Sequence, residues 1–231
     1  IKSAATTLGE TGGDAVSMSM NLGYLVGTAI FAAIFLAAVV AQVKAKDFHP
    51  FLYWTTIIAT TTVGTTLADF ADRSLGIGYA GGSSLLLALL LGSLFVWHRT
   101  LGSVSVSTVS SPKAEAFYWL TIMFSQTLGT ALGDWTADTA GLGYTGAAVV
   151  FGGLLALVVA AYYWTSVSRT LLFWAAFILT RPLGAVVGDF LDKPVSAGGL
   201  ALSRYSASAA LLTFIVVAIL LFRQRAARTA H

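Results

Sequence analysis

Residues 129–144, GTALGDWTADTAGLGY, repeat the pattern of residues 64–79, GTTLADFADRSLGIGY. In both stretches a glycine precedes an aspartate by five residues, and a Gly-Tyr pair ends ten residues after that aspartate. The same spacing starts at Gly9 and, without the final tyrosine, at Gly184. Self-similarity of this kind indicates a fold built from copies of one unit. We therefore predict a single domain over 1–231 with four tandem repeats, at about 1–46, 47–110, 111–167 and 168–222.

The composition is that of a membrane protein. Hydrophobic residues make up 57% of the chain and charged residues 10%, whereas a soluble domain carries about 25% charged residues. Uncharged stretches such as 15–43 and 139–168 are longer than the about 20 apolar residues that cross a bilayer as a helix. Cysteine is absent, which excludes disulfides and thiolate metal sites.

Each repeat has room for two membrane-spanning helices joined near the Gly-Tyr pair, so we predict an all-α bundle of eight transmembrane helices. Because each repeat crosses the bilayer an even number of times, all four repeats point the same way. The two halves are then related by an axis along the membrane normal. The predicted helices cover residues 1–19, 22–43, 49–72, 77–99, 113–138, 143–167, 170–192 and 199–222.

Basic residues concentrate in alternate loops of this predicted topology. By the positive-inside rule those loops and both termini are cytoplasmic. A basic set distributed in this way is explained by topology, so we expect the lipid bilayer as a partner and no nucleic acid, and association into homo-oligomers is left open. The residues are Lys44, Lys46, Arg99, Lys113, Arg169, Arg223, Arg225 and Arg228.

Eight of the ten acidic residues belong to the repeated motif. Acids three or four residues apart lie on one face of a helix. A charge at the bilayer centre costs about 2.5–3.5 kcal/mol, so these acids need water, a counter-ion or a proton. We predict that they line a metal or substrate site, although Asp72, Asp138 and Asp192 equally fit caps or solvent-facing turns. The eight acids are Glu10, Asp14, Asp69, Asp72, Asp134, Asp138, Asp189 and Asp192.

The residues around the acids predict close helix packing and polar support. Each inner aspartate follows a small-xxx-small pattern such as Gly129-x-x-x-Gly133, which lets membrane helices approach closely. Arg181 and Arg204 lie in the fourth repeat, so we expect that repeat to neutralise its own acids and the other three to keep uncompensated ones. An ion-pair cluster of purely structural role is the alternative. The predicted supporting residues are Thr65, Gln126, Thr130, Arg181 and Arg204.

Tryptophans precede three of the motif glycines by ten residues. They are Trp54, Trp119 and Trp174. Tryptophan is enriched at membrane interfaces, so we predict an interfacial belt in preference to an aromatic cage for a ligand. In the first repeat the corresponding position would precede Ile1, and we expect that Ile1 is not the natural start of the protein.

Four tandem two-helix units with a G-x-x-x-[GA]-D motif and this tryptophan resemble a bacterial membrane-anchored family described as a repeat of unknown function. The resemblance covers essentially the whole chain. It implies an eight-helix protein of the bacterial inner membrane and no specific activity.

Three functions remain open from the residues. Carboxylates with hydroxyl and amide oxygens suit a hard cation such as Mn²⁺ or Mg²⁺, and ionisable groups in a membrane usually mark ion paths, so a proton-coupled cation carrier is our main hypothesis. A transporter of an organic cation or another small molecule is the second. An intramembrane aspartyl enzyme is the third; we expect no enzyme and no bound cofactor, because the motif has the wrong residue for a presenilin-type site and no nucleotide-binding loop occurs.

Overall fold

The chain folds entirely into helices. A computed structural model describes residues 1–45, 47–74, 78–106, 109 and 111–222, apart from the side chains of residues 72 and 73. Those residues contain eight α-helices and no strand, which confirms the all-α prediction. The helices are α1 Lys2–Asp14, α2 Tyr24–Lys44, α3 Pro50–Asp69, α4 Tyr79–Leu101, α5 Pro112–Asp134, α6 Gly143–Trp164, α7 Arg169–Asp192 and α8 Arg204–Leu221.

Local sequence signals explain several of these bounds. Helices α3 and α5 begin at Pro50 and Pro112, where the missing N–H costs no helical hydrogen bond. The Ser111 hydroxyl also caps α5 by accepting a bond from the Ala114 N–H at 3.2 Å. Helix α4 ends at Gly102, which has a left-handed φ of 76°. Most predicted bounds are therefore within a few residues of the observed ones.

Among the helix starts, that of α8 differs most from the prediction. It was predicted at 199, but the helix begins at Arg204. After α7 the chain makes a short 3₁₀ turn, Val195–Ala197, and Gly198 adopts a left-handed φ of 86°. The backbone N–H of Leu200 then bonds the carbonyl of Phe190 at 2.7 Å. Because this segment folds back on the end of α7, α8 begins later in the chain than predicted.

A π-helical turn follows the motif aspartate in three repeats. These turns are Ala15–Ser19, Phe70–Ser74 and Trp135–Thr139, each starting directly after its aspartate. In the fourth repeat α7 runs on to Asp192 as an α-helix, and Lys193 and Pro194 follow. The fourth repeat therefore presents its acids differently from the first three.

The odd-numbered helices form the inside of the bundle. Helix α1 packs against α3, α3 against α5, α5 against α7, and α7 against α1, so the four close into a ring. The even-numbered helices pack outside this ring, α2 on α3, α4 on α5, α6 on α7 and α8 on α1. Each outer helix thus covers the inner helix of the following repeat, and the last covers the first.

The motif glycines make the close contacts inside this ring. An added Cβ at any of the four would lie 2.2–2.9 Å from atoms of the next inner helix, a distance that real Cβ atoms do not adopt. This explains the small-xxx-small pattern, because only glycine lets the backbones approach so closely. The contacts are Gly9 with Thr61, Gly64 with Gln126, Gly129 with Arg181 and Gly184 with Thr6.

The outside of the bundle is apolar. Helices α2, α4, α6, α7 and α8 are long and apolar enough to cross a membrane. Only 17% of the residues in the apolar stretch of α6 are buried, and the exposed side chains of this helix include Val149 and Leu157. A broad apolar surface around a polar interior reverses the order of a soluble protein and is typical of a protein in lipid.

The prediction of an interfacial tryptophan belt is wrong for Trp119 and Trp174. Both are buried, at 3% and 4% exposure. Trp119 packs against Tyr118 with ring centroids 5.0 Å apart, and Trp174 packs against Trp97 at 5.9 Å. The Trp174 indole N–H donates to the Val104 carbonyl, in the loop after α4, at 3.0 Å. Phe35 of the outer helix α2 packs on Trp119 with ring centroids 6.4 Å apart. They form an aromatic cluster at one end of the bundle.

Candidate functional site

A polar axis runs through the inner ring. Hydroxyl, amide and charged side chains of the inner helices are buried in the bundle. Thr11 and Thr121 bond hydroxyls of the outer helices, Ser208 on α8 and Ser93 on α4. Because such groups lose water on burial, they need partners within the bundle. The buried polar residues of the inner helices are Thr6, Thr7, Glu10, Thr11, Asp14, Thr56, Thr60, Thr61, Thr62, Thr65, Thr66, Asp69, Thr121, Ser125, Gln126, Thr127, Thr130, Asp134, Thr180, Arg181, Asp189 and Asp192.

Arg181 joins all four inner helices at the centre of this axis. Its side chain is fully buried. Nη2 donates to Glu10 Oε2 on α1 at 2.9 Å and to the hydroxyls of Thr65 on α3 and Thr130 on α5. Nη1 donates to the Thr6 carbonyl at 3.3 Å. Two of the predicted supporting threonines therefore contact a predicted supporting arginine.

The Arg181–Glu10 ion pair corrects the predicted charge balance of the repeats. The fourth repeat pairs its own Asp189 with Lys193 and its own Asp192 with Arg204, as expected. The expectation that the first repeat keeps uncompensated acids is wrong, because Arg181 pairs with Glu10. The ring closure places α7 beside α1, a neighbour relation that the order of residues does not show. Acids of the first repeat are thus compensated by cations of the fourth.

Three of the predicted acids meet at one end of the axis. One carboxylate oxygen from each of Asp14, Asp189 and Asp192 lies within 4.8 Å of the others. The Lys193 ammonium lies among them, 2.7 Å from Asp14 Oδ2 and 3.0 Å from Asp189 Oδ1. Arg204 donates through Nε to Asp192 Oδ2 at 2.8 Å. We call these five residues the acidic cluster.

The acidic cluster is electrostatically coupled. Burial alone would lower the pKa of the Lys193 ammonium, but the carboxylates of Asp189 and Asp14 raise that pKa above its usual value. Lys193 therefore stays charged. The cluster therefore places three carboxyl groups beside two cations.

The remaining predicted acids lie elsewhere. Asp69 and Asp134 are buried at the ends of α3 and α5. Asp138 is exposed in the π-helical turn, about one turn after the buried Asp134, which fits the alternative that it faces solvent at a turn. The side chain of Asp72 lies outside the described residues.

The comparison with known families fits this arrangement of repeats. The sequence profile of a family described as Repeat of Unknown Function (DUF347) matches residues 1–48, 52–103, 117–168 and 172–227. The chain belongs to this family. The four matches confirm the prediction of four tandem repeats. No curated protein and no solved structure matches the chain.

Alignment of the DUF347 repeats on their motif glycines indicates a site residue that was not predicted, Lys193. Lys193 stands nine residues after its motif glycine, and Arg73 stands at the same place in the second repeat. A basic residue at the same position in two repeats, close to the motif aspartates, indicates a counter-ion for those aspartates. Lys193 was overlooked because it comes just after the predicted helix.

A second missed residue of this DUF347 chain is Lys2. It lies in α1, donates to the Phe177 carbonyl at 2.9 Å and sits 3.5 Å from the centroid of the Phe177 ring. A lysine beside a polar carbonyl and an aromatic face has its charge satisfied without an acid. These contacts link the start of α1 to α7, at the end of the polar axis opposite the acidic cluster.

Proposed function

We propose that the protein is a membrane carrier of a hard divalent cation such as Mn²⁺ or Mg²⁺, with the acidic cluster as its cation site. The observation that carries the proposal is the convergence of Asp14, Asp189 and Asp192 within 4.8 Å, with an ammonium already held among them. Carboxylate oxygens are the ligands that hard cations prefer. The cation is substrate here rather than a resident cofactor.

The size of the cluster supports a small divalent ion. Opposite ligands of an octahedral Mg²⁺ site are about 4.2 Å apart, since each bond is about 2.1 Å long. Adjacent ligands are about 3.0 Å apart, so the three oxygens, which lie within 4.8 Å of one another, can hold one ion after they move closer together. Lys193 stands in for the cation in the empty state, so an arriving ion displaces its ammonium.

Proton coupling follows from the same groups. Carboxylates that release a divalent ion at the low-pH side take up protons in its place, and two protons carry the same charge as the ion. The proposed carrier therefore works as a secondary transporter driven by the proton gradient.

The proposed topology has all eight helices crossing the inner membrane of a bacterium. Helices α1, α3 and α5 are less apolar than the others, and the outer helices cover them from lipid. The four repeats then point the same way, with the two halves related by an axis along the membrane normal. Both termini lie in the cytoplasm, and the acidic cluster lies towards the opposite side.

The two other functions have less support. An organic cation needs several aromatic faces around the acids. Trp174 is 15 residues before Asp189 on α7, about 22 Å along the helix, and Tyr144 is an aromatic residue within electrostatic range of Asp189. An aspartyl enzyme needs two carboxyls that share a proton, whereas Lys193 lies between Asp14 and Asp189 and pairs with both.

The test is cation flux in liposomes that contain the purified protein and an imposed pH gradient. We expect Mn²⁺ flux, and we expect Asp14→Asn and Asp189→Asn to reduce it by about tenfold or more, because each removes a charged ligand. The control is Asp47→Asn, an exposed loop acid, which should transport like the parent protein. Equal flux in all three variants would show that the cluster is not the site.

A second variant tests the role of the ammonium. Lys193→Gln removes the competing charge and keeps a polar side chain that is about one atom shorter. We expect it to bind Mn²⁺ with a Kd lower by about tenfold in calorimetric titration. An unchanged or higher Kd contradicts the displacement of Lys193 by the ion.

A further inference from the structure

A second group of buried polar side chains lies on the other side of the Arg181 guanidinium from the acidic cluster. Thr61, Gln126 and Arg181 each stand three residues before a motif glycine, and Thr60 and Ser125 stand four before. All five side chains have 0% exposure. The glycine contacts bring α3, α5 and α7 together at this level, because Gly64 packs on Gln126 and Gly129 packs on Arg181.

These side chains share an unusual property. Gln126 Nε2 and Oε1, the hydroxyls of Thr60, Thr61 and Ser125, and Arg181 Nε have no hydrogen-bond partner among the described residues. Buried polar atoms in native proteins are almost always paired, so a set of six at one level needs an explanation.

Three hydroxyls at this level differ in their bonding from neighbouring hydroxyls on the same helices. A helical threonine or serine ordinarily donates to the carbonyl four residues earlier. Thr62 does so with Ile58 at 2.8 Å, and Thr127 does so with Met123 at 3.0 Å. Thr60, Thr61 and Ser125 make no such bond, so their hydroxyls are available to a ligand.

We propose that this level of the bundle binds a small cluster of internal water molecules. The mixture of groups selects the ligand: a metal ion would satisfy the oxygens but not the N–H groups of Gln126 and Arg181, and an anion would leave Gln126 Oε1 unpaired. Water both donates and accepts, and it needs two to four polar partners, which this level supplies. Beyond Arg181, the bound water molecules extend the polar axis towards the aromatic cluster. This inference holds whatever the protein carries.

The first experiment asks whether replacing these polar side chains lowers or raises the midpoint of thermal denaturation. In Thr60→Val and Gln126→Met an apolar group of similar size replaces a polar one. If water is bound, the substitution removes its partners, and the midpoint of thermal denaturation in detergent falls by about 2–4 °C. If the level is dry, removal of an unsatisfied buried group raises the midpoint, and the proposal is overturned. The matched control is Thr62→Val, whose hydroxyl bonds its own helix and whose midpoint should hardly change.

A second measurement covers the case in which a variant does not fold. An experimental structure of the unmodified protein at a resolution that shows water should have water density within hydrogen-bonding distance of the Gln126 amide and the Thr60, Thr61 or Ser125 hydroxyls. Clear density for the side chains with no density between them overturns the proposal. Density for a metal ion or an anion at this level also overturns it.

Discussion

The inner helix α5 and the outer helix α6 show opposite relations between polarity and burial. On α5 the buried side chains include Thr121, Gln126 and Thr130, whereas on α6 the exposed ones include Val149 and Leu157. Lipid cannot hydrogen-bond, so polar groups are stable only where other helices satisfy them. The outer helices therefore act as the apolar covering of a polar core.

The largest effect is expected from breaking the polar core at Arg181. Arg181→Met leaves Glu10 buried without its counter-ion, and we expect a loss of about 3–5 kcal/mol in the free energy of unfolding. Denaturant titration of the purified protein measures it. The double variant with Glu10→Gln also removes the stranded charge and should be more stable than Arg181→Met alone. If the two changes simply add, the core does not depend on this pair.

A charge on the apolar covering should cost less. Leu157, near the middle of α6, is 66% exposed. In a soluble protein Leu157→Arg would be almost neutral, but in lipid we expect a cost of about 2–3 kcal/mol and a lower yield of membrane-inserted protein. Tyr163→Arg, at the end of the same helix, is the control, because an arginine there reaches the interface. Equal yields for both variants would contradict a lipid-facing α6.

The smallest effects on stability are expected when a glycine is replaced by alanine, and they should differ in sign between an inner and an outer helix. In Gly129→Ala the new Cβ would lie 2.3 Å from Arg181 Cγ, and we expect a loss of about 1–3 kcal/mol from overpacking. Gly152 on α6 has nothing within 4 Å of an added Cβ, so Gly152→Ala should gain about 0.5–1 kcal/mol of helix stability. Both are measured by denaturant titration. A stabilising Gly129→Ala would show that the inner helices are less tightly packed than described.

Much of this arrangement could be predicted from particular residues. The spacing of Gly64, Asp69 and Tyr79 predicted the repeats, and the small residues before each aspartate predicted the close helix contacts. Both signals are local, because they depend on what one helix presents to any neighbour. The π-helical turns that follow Asp14, Asp69 and Asp134 were not predicted.

The sequence by itself determined the all-helical class, the four repeats and the concentration of acids in one motif, since these follow from hydrophobic length and from spacing along a single helix. Only the tertiary structure decided which charges meet. The pairing of Arg181 with Glu10 and of Lys193 with Asp14 depends on α7 lying beside α1, at opposite ends of the sequence. Electrostatic energy depends on distance in space, and the ring of inner helices sets that distance.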